Sequence, residues 1–130
     1  MKLLILLLIA AFSLVGQTQT RKVTLAWEDL VNPTGTKYNI YRVAGTCSSN
    51  VACIPSENNQ CPYVSVATGL AGKTYLDQPP AIGIYCYHAT SVYNNLESDP
   101  STTAEAKVKP MPPGKLTISV TLQLTLDTEQ

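Results

Sequence analysis

Four cysteines and one histidine are the side chains of this sequence best able to do chemistry: Cys47, Cys53, Cys61, Cys86 and His88. Thiolates and imidazole could hold a zinc ion, but structural zinc sites bring their cysteines in close pairs, with about two to four residues between them. Here 5, 7 and 24 residues intervene, so neither a metal nor another cofactor is expected. Disulfides are the better use of four cysteines in a short exported chain. Four cysteines allow three pairings, and spacing alone does not choose among them.

Other constellations are weaker. A Ser-His-Asp arrangement needs a nucleophile held beside its base, and the single histidine has no G-x-S-x-G sequence to serve. Glu28-Asp29 and the pair Glu97 and Asp99 could act as acid and base, or ligate calcium. No D-x-D-x-D-G loop accompanies them, and Glu28-Asp29 reads as the solvated end of a strand. Gly69-Leu70-Ala71-Gly72 lacks the following helix that a phosphate cradle requires. There is no Asn-x-Ser/Thr sequon and no Arg-Gly-Asp. No catalytic residues are expected, and the chain does not read as an enzyme.

Residues 1–16 read as a secretory signal: Lys2, an apolar run from Leu3 to Val15 broken only by Ser13, then small and polar residues from Gly16. The run is 13 residues long, short of the roughly 20 that span a bilayer. Cleavage after Gly16 fits best, with Ala11-Phe12-Ser13 as a second small-x-small site and an uncleaved anchor as the alternative. The expected location is secreted, periplasmic or at the cell surface. Loss of Lys2 leaves eight basic against nine acidic residues, scattered singly. That pattern excludes the basic face of a nucleic-acid binder and the polybasic cluster of an anionic-membrane binder.

The elements that must position these residues are short and alternating, with turn signals between them, which indicates an all-β chain. Val23, Leu25 and Trp27 alternate with Thr24, Ala26 and Glu28. Asn32-Pro33-Thr34-Gly35 turns the chain into a strand over Lys37 to Val43. Residues 44–62 are rich in Gly, Ser, Asn and Pro and read as a long loop. Strands follow at Tyr63 to Ala67, Thr74 to Asp77, Tyr85 to Tyr93 and Thr103 to Lys109. The expected core is Trp27, Tyr38, Ile40, Tyr75, Tyr85, Tyr87 and Ala89, with Tyr41, Tyr63 and Tyr93 on or near the outer face of the sheet that holds Lys37 to Val43, or its loops, as exposed contact residues or as cross-strand packing.

Trp27, Tyr38-Asn39-Ile40-Tyr41-Arg42, Thr74-Tyr75-Leu76-Asp77, Gly83-Ile84-Tyr85 and Asn95-Leu96-Glu97-Ser98-Asp99-Pro100-Ser101 follow one another over residues 22–110. In that order they resemble a bacterial or phage-encoded fibronectin type III domain. The resemblance implies an immunoglobulin-like β-sandwich, with Trp27 as central core aromatic and Tyr85 as the corner tyrosine. It also places His88 on the solvent side of its strand, beside Tyr41. In the family frame Cys86 points outward near the end of the strand that leads to Cys47. The resemblance therefore implies the bridges Cys47–Cys86 and Cys53–Cys61. The family's first strand is missing, because only Gln17 to Lys22 precede Val23. The function implied is a secreted, non-catalytic binding or spacer module whose partner is a protein or carbohydrate.

Residues 111–130 form a Pro-rich linker and a tail with the clearest period-2 pattern in the chain. Leu116, Ile118, Val120, Leu122, Leu124 and Leu126 occupy every second position. An extra C-terminal strand is expected there. It could fold back onto Thr103 to Lys109, remain without a partner, or be donated into the vacant first-strand position of another copy. The last option makes the alternative function a structural or assembly protein that self-associates through this face.

Overall fold

The computed structural model describes residues 21–120. The expected signal at 1–16 and the tail residues Leu122, Leu124 and Leu126 lie outside the described residues. Seven strands occur among the described residues: β1 (Val23–Ala26), β2 (Lys37–Ala44), β3 (Val64–Leu70), β4 (Thr74–Asp77), β5 (Gly83–Tyr93), β6 (Leu96–Glu97) and β7 (Ala104–Val108). Among the described residues there is no α-helix, only a short 3₁₀ turn at Cys47–Ser49. The fold is all-β, with antiparallel sheets that curl into a half-barrel.

β1 pairs with β4 to make a two-stranded sheet. The larger sheet runs β3-β2-β5, and the far edge of β5 pairs with β7 along Gly83–Tyr87 and with β6 at Val92–Tyr93. Local chemistry explains how one edge serves two partners. Asn94 and Asn95 adopt φ of 47° and 62°, the left-handed pair required by a two-residue hairpin whose twist matches its strands. Pro100 has no N–H for a continuous ladder, so serines fill in between β6 and β7. The Ser91 N–H donates to the Ser98 hydroxyl and the Ala89 N–H to the Ser101 hydroxyl, both at 2.9 Å.

β2 and β5 are the centre of the molecule because both of their faces are covered. On the inner face Ile40, Tyr85 and Tyr87 are buried against Val23, Leu25, Trp27 and Tyr75 of β1 and its sheet partner. Tyr38 is also buried, while Trp27, Tyr75 and Ala89 are half-buried. Tyr85 sends its hydroxyl back to the Ala81 carbonyl, four residues upstream, at 2.9 Å.

The outer face corrects two expectations. Tyr41 and Tyr63 are buried, not at the surface, and only Tyr93 is exposed. His88, expected on the solvent side, is 3% exposed. The strand parity places these side chains outward, but the long loop after β2 folds back over them and makes a second apolar cluster of Tyr41, Val43, Ile54, Tyr63 and Cys86. Period-2 alternation says which face a residue joins; it does not say whether a distant loop covers that face.

The tail gives a third correction. Over its described half, Lys115 to Val120, the expected extra strand is not formed, and every residue from Met111 to Val120 is exposed. A strand exists only through pairing, and no described edge of this chain receives the segment.

Candidate functional site

The loop from Gly45 to Pro62 is pinned at both ends and in the middle. Gly45 opens it with φ of +117°, and a Cβ there would meet the Asn50 amide at 2.9 Å, so this entry requires glycine. Disulfides join Cys47 to Cys86 and Cys53 to Cys61, with Cα separations of 5.0 and 5.8 Å; these are the pairs the resemblance implied. The first ties the loop to β5, the second closes its tip. Ile54 carbonyl accepts from the Glu57 and Asn58 N–H groups, and Asn58 carbonyl from the Cys61 N–H, each at 3.0 Å. Beneath the loop, the Tyr63 hydroxyl donates to the Asn50 carbonyl at 2.9 Å. Its upper side is polar: Ser56, Glu57, Asn58, Asn59 and Gln60 are all exposed. The result is a rigid platform with an apolar underside and a hydrogen-bonding rim.

His88 belongs to the underside. Its ring stacks on Tyr41 at 4.9 Å and meets Tyr63 edge-on at 4.6 Å. Nε2 lies 2.8 Å from the Cys53 carbonyl, an acceptor that requires the proton on Nε2, and Nδ1 is buried without a partner among the described residues. Burial lowers the His88 pKa, and the nearby carbonyl only partly offsets it. The imidazole is thus a neutral strut between loop and sheet at pH 7, and the group it bonds is a carbonyl, not a hydroxyl nucleophile.

Glu97, named in sequence as one half of a carboxylate pair, is the hub of the neighbouring polar patch. Burial raises its pKa, but hydrogen bonds from the Thr90 and Tyr41 hydroxyls and the Asn39 amide more than offset this and hold it below the usual carboxylate value. Three donors satisfy one carboxylate, which is a structural use. None of these donors is shared with the Asp99 side chain. Asp29 likewise organises a turn: its carboxylate accepts from the Tyr38 hydroxyl at 2.7 Å, the Asn32 side chain at 2.8 Å and the backbone N–H groups of Val31 and Asn32. The Tyr38 bond first, then those from Asn32, hold Asp29 well below the ordinary range. On the inner face Arg42 reaches both oxygens of Asp77, at 2.7 and 3.0 Å, and the Tyr87 hydroxyl donates to the same carboxylate at 2.6 Å. Sequence reading missed this trio. Arg42 and Tyr87 stand opposite each other in the β2–β5 register, a relation that no local motif announces.

A different kind of site runs along β1. The Trp27 N–H donates to the Lys73 carbonyl at 3.0 Å, so alternation turns the N–H and C=O groups of Thr24 and Ala26 to the opposite edge. No described residue pairs with that edge. It borders a cleft of about 290 Å³ between β1 and the approach to β7, lined by Leu25, Trp27, Ile40, Tyr87, Ala89 and Ala104 among others. The buried Trp27 indole N–H has no partner among the described residues. At the other end of the same seam, Arg21 and Lys22 face Lys107 and Lys109 across a cleft of about 240 Å³.

Among the described residues no group of three or more His, Cys, Asp or Glu side chains is placed to hold a metal ion, and no helix is long and apolar enough to cross a membrane. The two disulfides point to an oxidising environment. No protein-family model, curated protein or solved structure matches the chain.

Proposed function

We propose that this chain is a secreted, non-catalytic binding module of the fibronectin type III type, which presents the disulfide-tied loop Gly45–Pro62 to a protein or carbohydrate partner. The observation that carries the reading is the loop itself. It is immobilised by two crosslinks and a buried underside, while its tip displays Ser, Glu, Asn and Gln side chains. Preorganisation of this kind lowers the ordering cost of binding, and loops on a rigid scaffold are where binding groups concentrate. The family reading is supported by strand order, with β1-β4 in the place of strands B and E, and β3-β2-β5-β7 in the place of C′, C, F and G. The bond from the Tyr85 hydroxyl to a backbone carbonyl upstream is the contact of a tyrosine corner. Export is supported by the apolar run at Leu3 to Val15 together with the crosslinks.

The test is binding of the exported, oxidised protein to polysaccharide and glycan panels and to cell-surface proteins, beside a Glu57→Ala/Asn59→Ala/Gln60→Ala variant. These side chains are exposed, so the melt should not move, and binding should fall at least tenfold. Binding that survives the triple change, or native protein found with reduced cysteines, contradicts the proposal.

A further inference from the structure

We infer that the open seam along β1 is a strand-acceptor site, and that its occupant is the C-terminal segment Lys115–Asp127 of a second copy of this chain. This goes beyond the loop-presentation reading and does not depend on it.

Two incomplete parts of the molecule carry the inference. The first is the β1 edge, which offers the N–H and C=O groups of Thr24 and Ala26 beside a cleft of mixed lining, apolar at Leu25, Trp27, Ile40 and Ala104 and polar at Glu28 and Ser101 to Thr103. Thr24 and Ala26 are both exposed, so water serves these groups in the single chain, and an unpaired strand edge is a template for an incoming strand. The second is the tail. Leu116, Ile118 and Val120 are 81, 83 and 79% exposed, on a segment whose alternation is that of a strand with one buried face. A strand laid on β1 would continue the three inward positions of Val23, Leu25 and Trp27 with three of its own. The reach suffices: 13 residues of extended chain span ~43 Å, against ~26 Å for Arg21 to Glu28.

Charge and direction choose a second copy over the chain's own tail. β1 begins and β7 ends at the same, basic end of the seam, where Arg21, Lys22, Lys107 and Lys109 gather; Glu28 and Asp29 lie at the other end. A tail folding back directly from β7 would enter at the basic end and run parallel to β1. It would place Lys115 among the lysines and carry Asp127 and Glu129 toward Glu28 and Asp29. A tail from another copy is free to run antiparallel to β1, which sets Lys115 beside Glu28 and Asp29 and sends Asp127 and Glu129 toward the basic end. The linker Pro110-Met111-Pro112-Pro113 also opposes a tight reversal, since each residue before a proline is held extended. Head-to-tail donation of this kind builds open chains unless its rotation closes a ring.

The experiment uses the full exported protein and two single variants. Ala26→Pro removes an edge N–H without touching the β1–β4 ladder; Thr24→Pro does the same one pleat away, should the first fail to fold. Ile118→Asp places a charge on the apolar face of the tail. By light scattering after size exclusion, the unaltered protein should rise in mass with concentration past the dimer. Each variant alone should stay monomeric. Mixed in equal amounts, they should form a heterodimer and stop there, because Ala26→Pro keeps a working tail and Ile118→Asp keeps a working edge. An unaltered protein that remains monomeric at high micromolar concentration overturns the inference, as does a mixture that stays monomeric.

Discussion

The outer face of the five-stranded sheet and the free edge of β1 began as the same problem, exposed sheet with apolar neighbours, and the chain treats them in opposite ways. On the outer face a loop of its own covers Tyr41, Val43 and His88, and two disulfides keep it there. Along β1 no described residue supplies the cover, and the cleft stays open. The difference teaches that closure in a domain this small depends on crosslinked local chain, because a short core alone yields only a few kcal/mol. Where no such chain is at hand, the sheet remains ready for an added strand.

The largest way to break the contrast is to reduce both disulfides. In the chain-entropy picture Cys47–Cys86, spanning 39 residues, contributes about 4 kcal/mol, and Cys53–Cys61, spanning 8, about 2.5 kcal/mol. Denaturant melts with and without reductant should separate by several kcal/mol, and coincident curves would show that the loop does not hold the outer face. Next come two aromatic truncations that compare the sides directly. Tyr63→Ala, beneath the loop, should cost roughly 3–5 kcal/mol, whereas Trp27→Ala, half-buried at the open cleft, should cost roughly 2 kcal/mol because less area leaves water there. The reverse order in urea melts would refute the assignment of closed and open sides.

Acid should loosen the closed side first. Both His88 and Glu97 have folded-state pKa values below their ordinary ones, so the folded protein binds fewer protons than the unfolded chain. Their contribution is fully present above the unfolded pKa of about 6.5 for His and about 4.3 for Glu, and is lost as pH falls. The melting temperature should therefore decline from pH 7 toward pH 5 through His88 and further below pH 4.5 through Glu97. His88→Gln should flatten the upper part of that decline; a profile unchanged by it contradicts a neutral, buried imidazole. The smallest effect on stability is expected on the open side: Ile118→Asp, at an 83% exposed position, should leave the monomer's melt within about 0.5 kcal/mol while abolishing association.

Strand existence was legible because alternation and turn chemistry are local. Val23 to Trp27, Tyr38 to Val43 and Tyr85 to Tyr93 read as strands from side-chain order alone, and the inner core followed from their parity. The cover over His88 was not legible, since nothing in Gly45–Pro62 marks the face on which Ile54 settles. The Arg42–Asp77–Tyr87 trio was hidden for the same reason: three separate strands meet there, and each residue looks ordinary in its own segment. The tail shows the converse. Its alternation states a capacity for pairing, and pairing needs an edge, which no described part of the same chain supplies over Lys115 to Val120.

Hydrogen exchange, followed by mass spectrometry on the Ile118→Asp protein alone and after addition of the Ala26→Pro protein, tests the contrast most directly. The β1 amides at Thr24 and Ala26 should exchange quickly in the first sample and become protected in the second, while the amides of Ile40 to Arg42, which have strand partners on both sides, stay slow in both. Protection of Thr24 and Ala26 that is already complete in the first sample, or unchanged in the second, would contradict an edge that waits for another copy's strand.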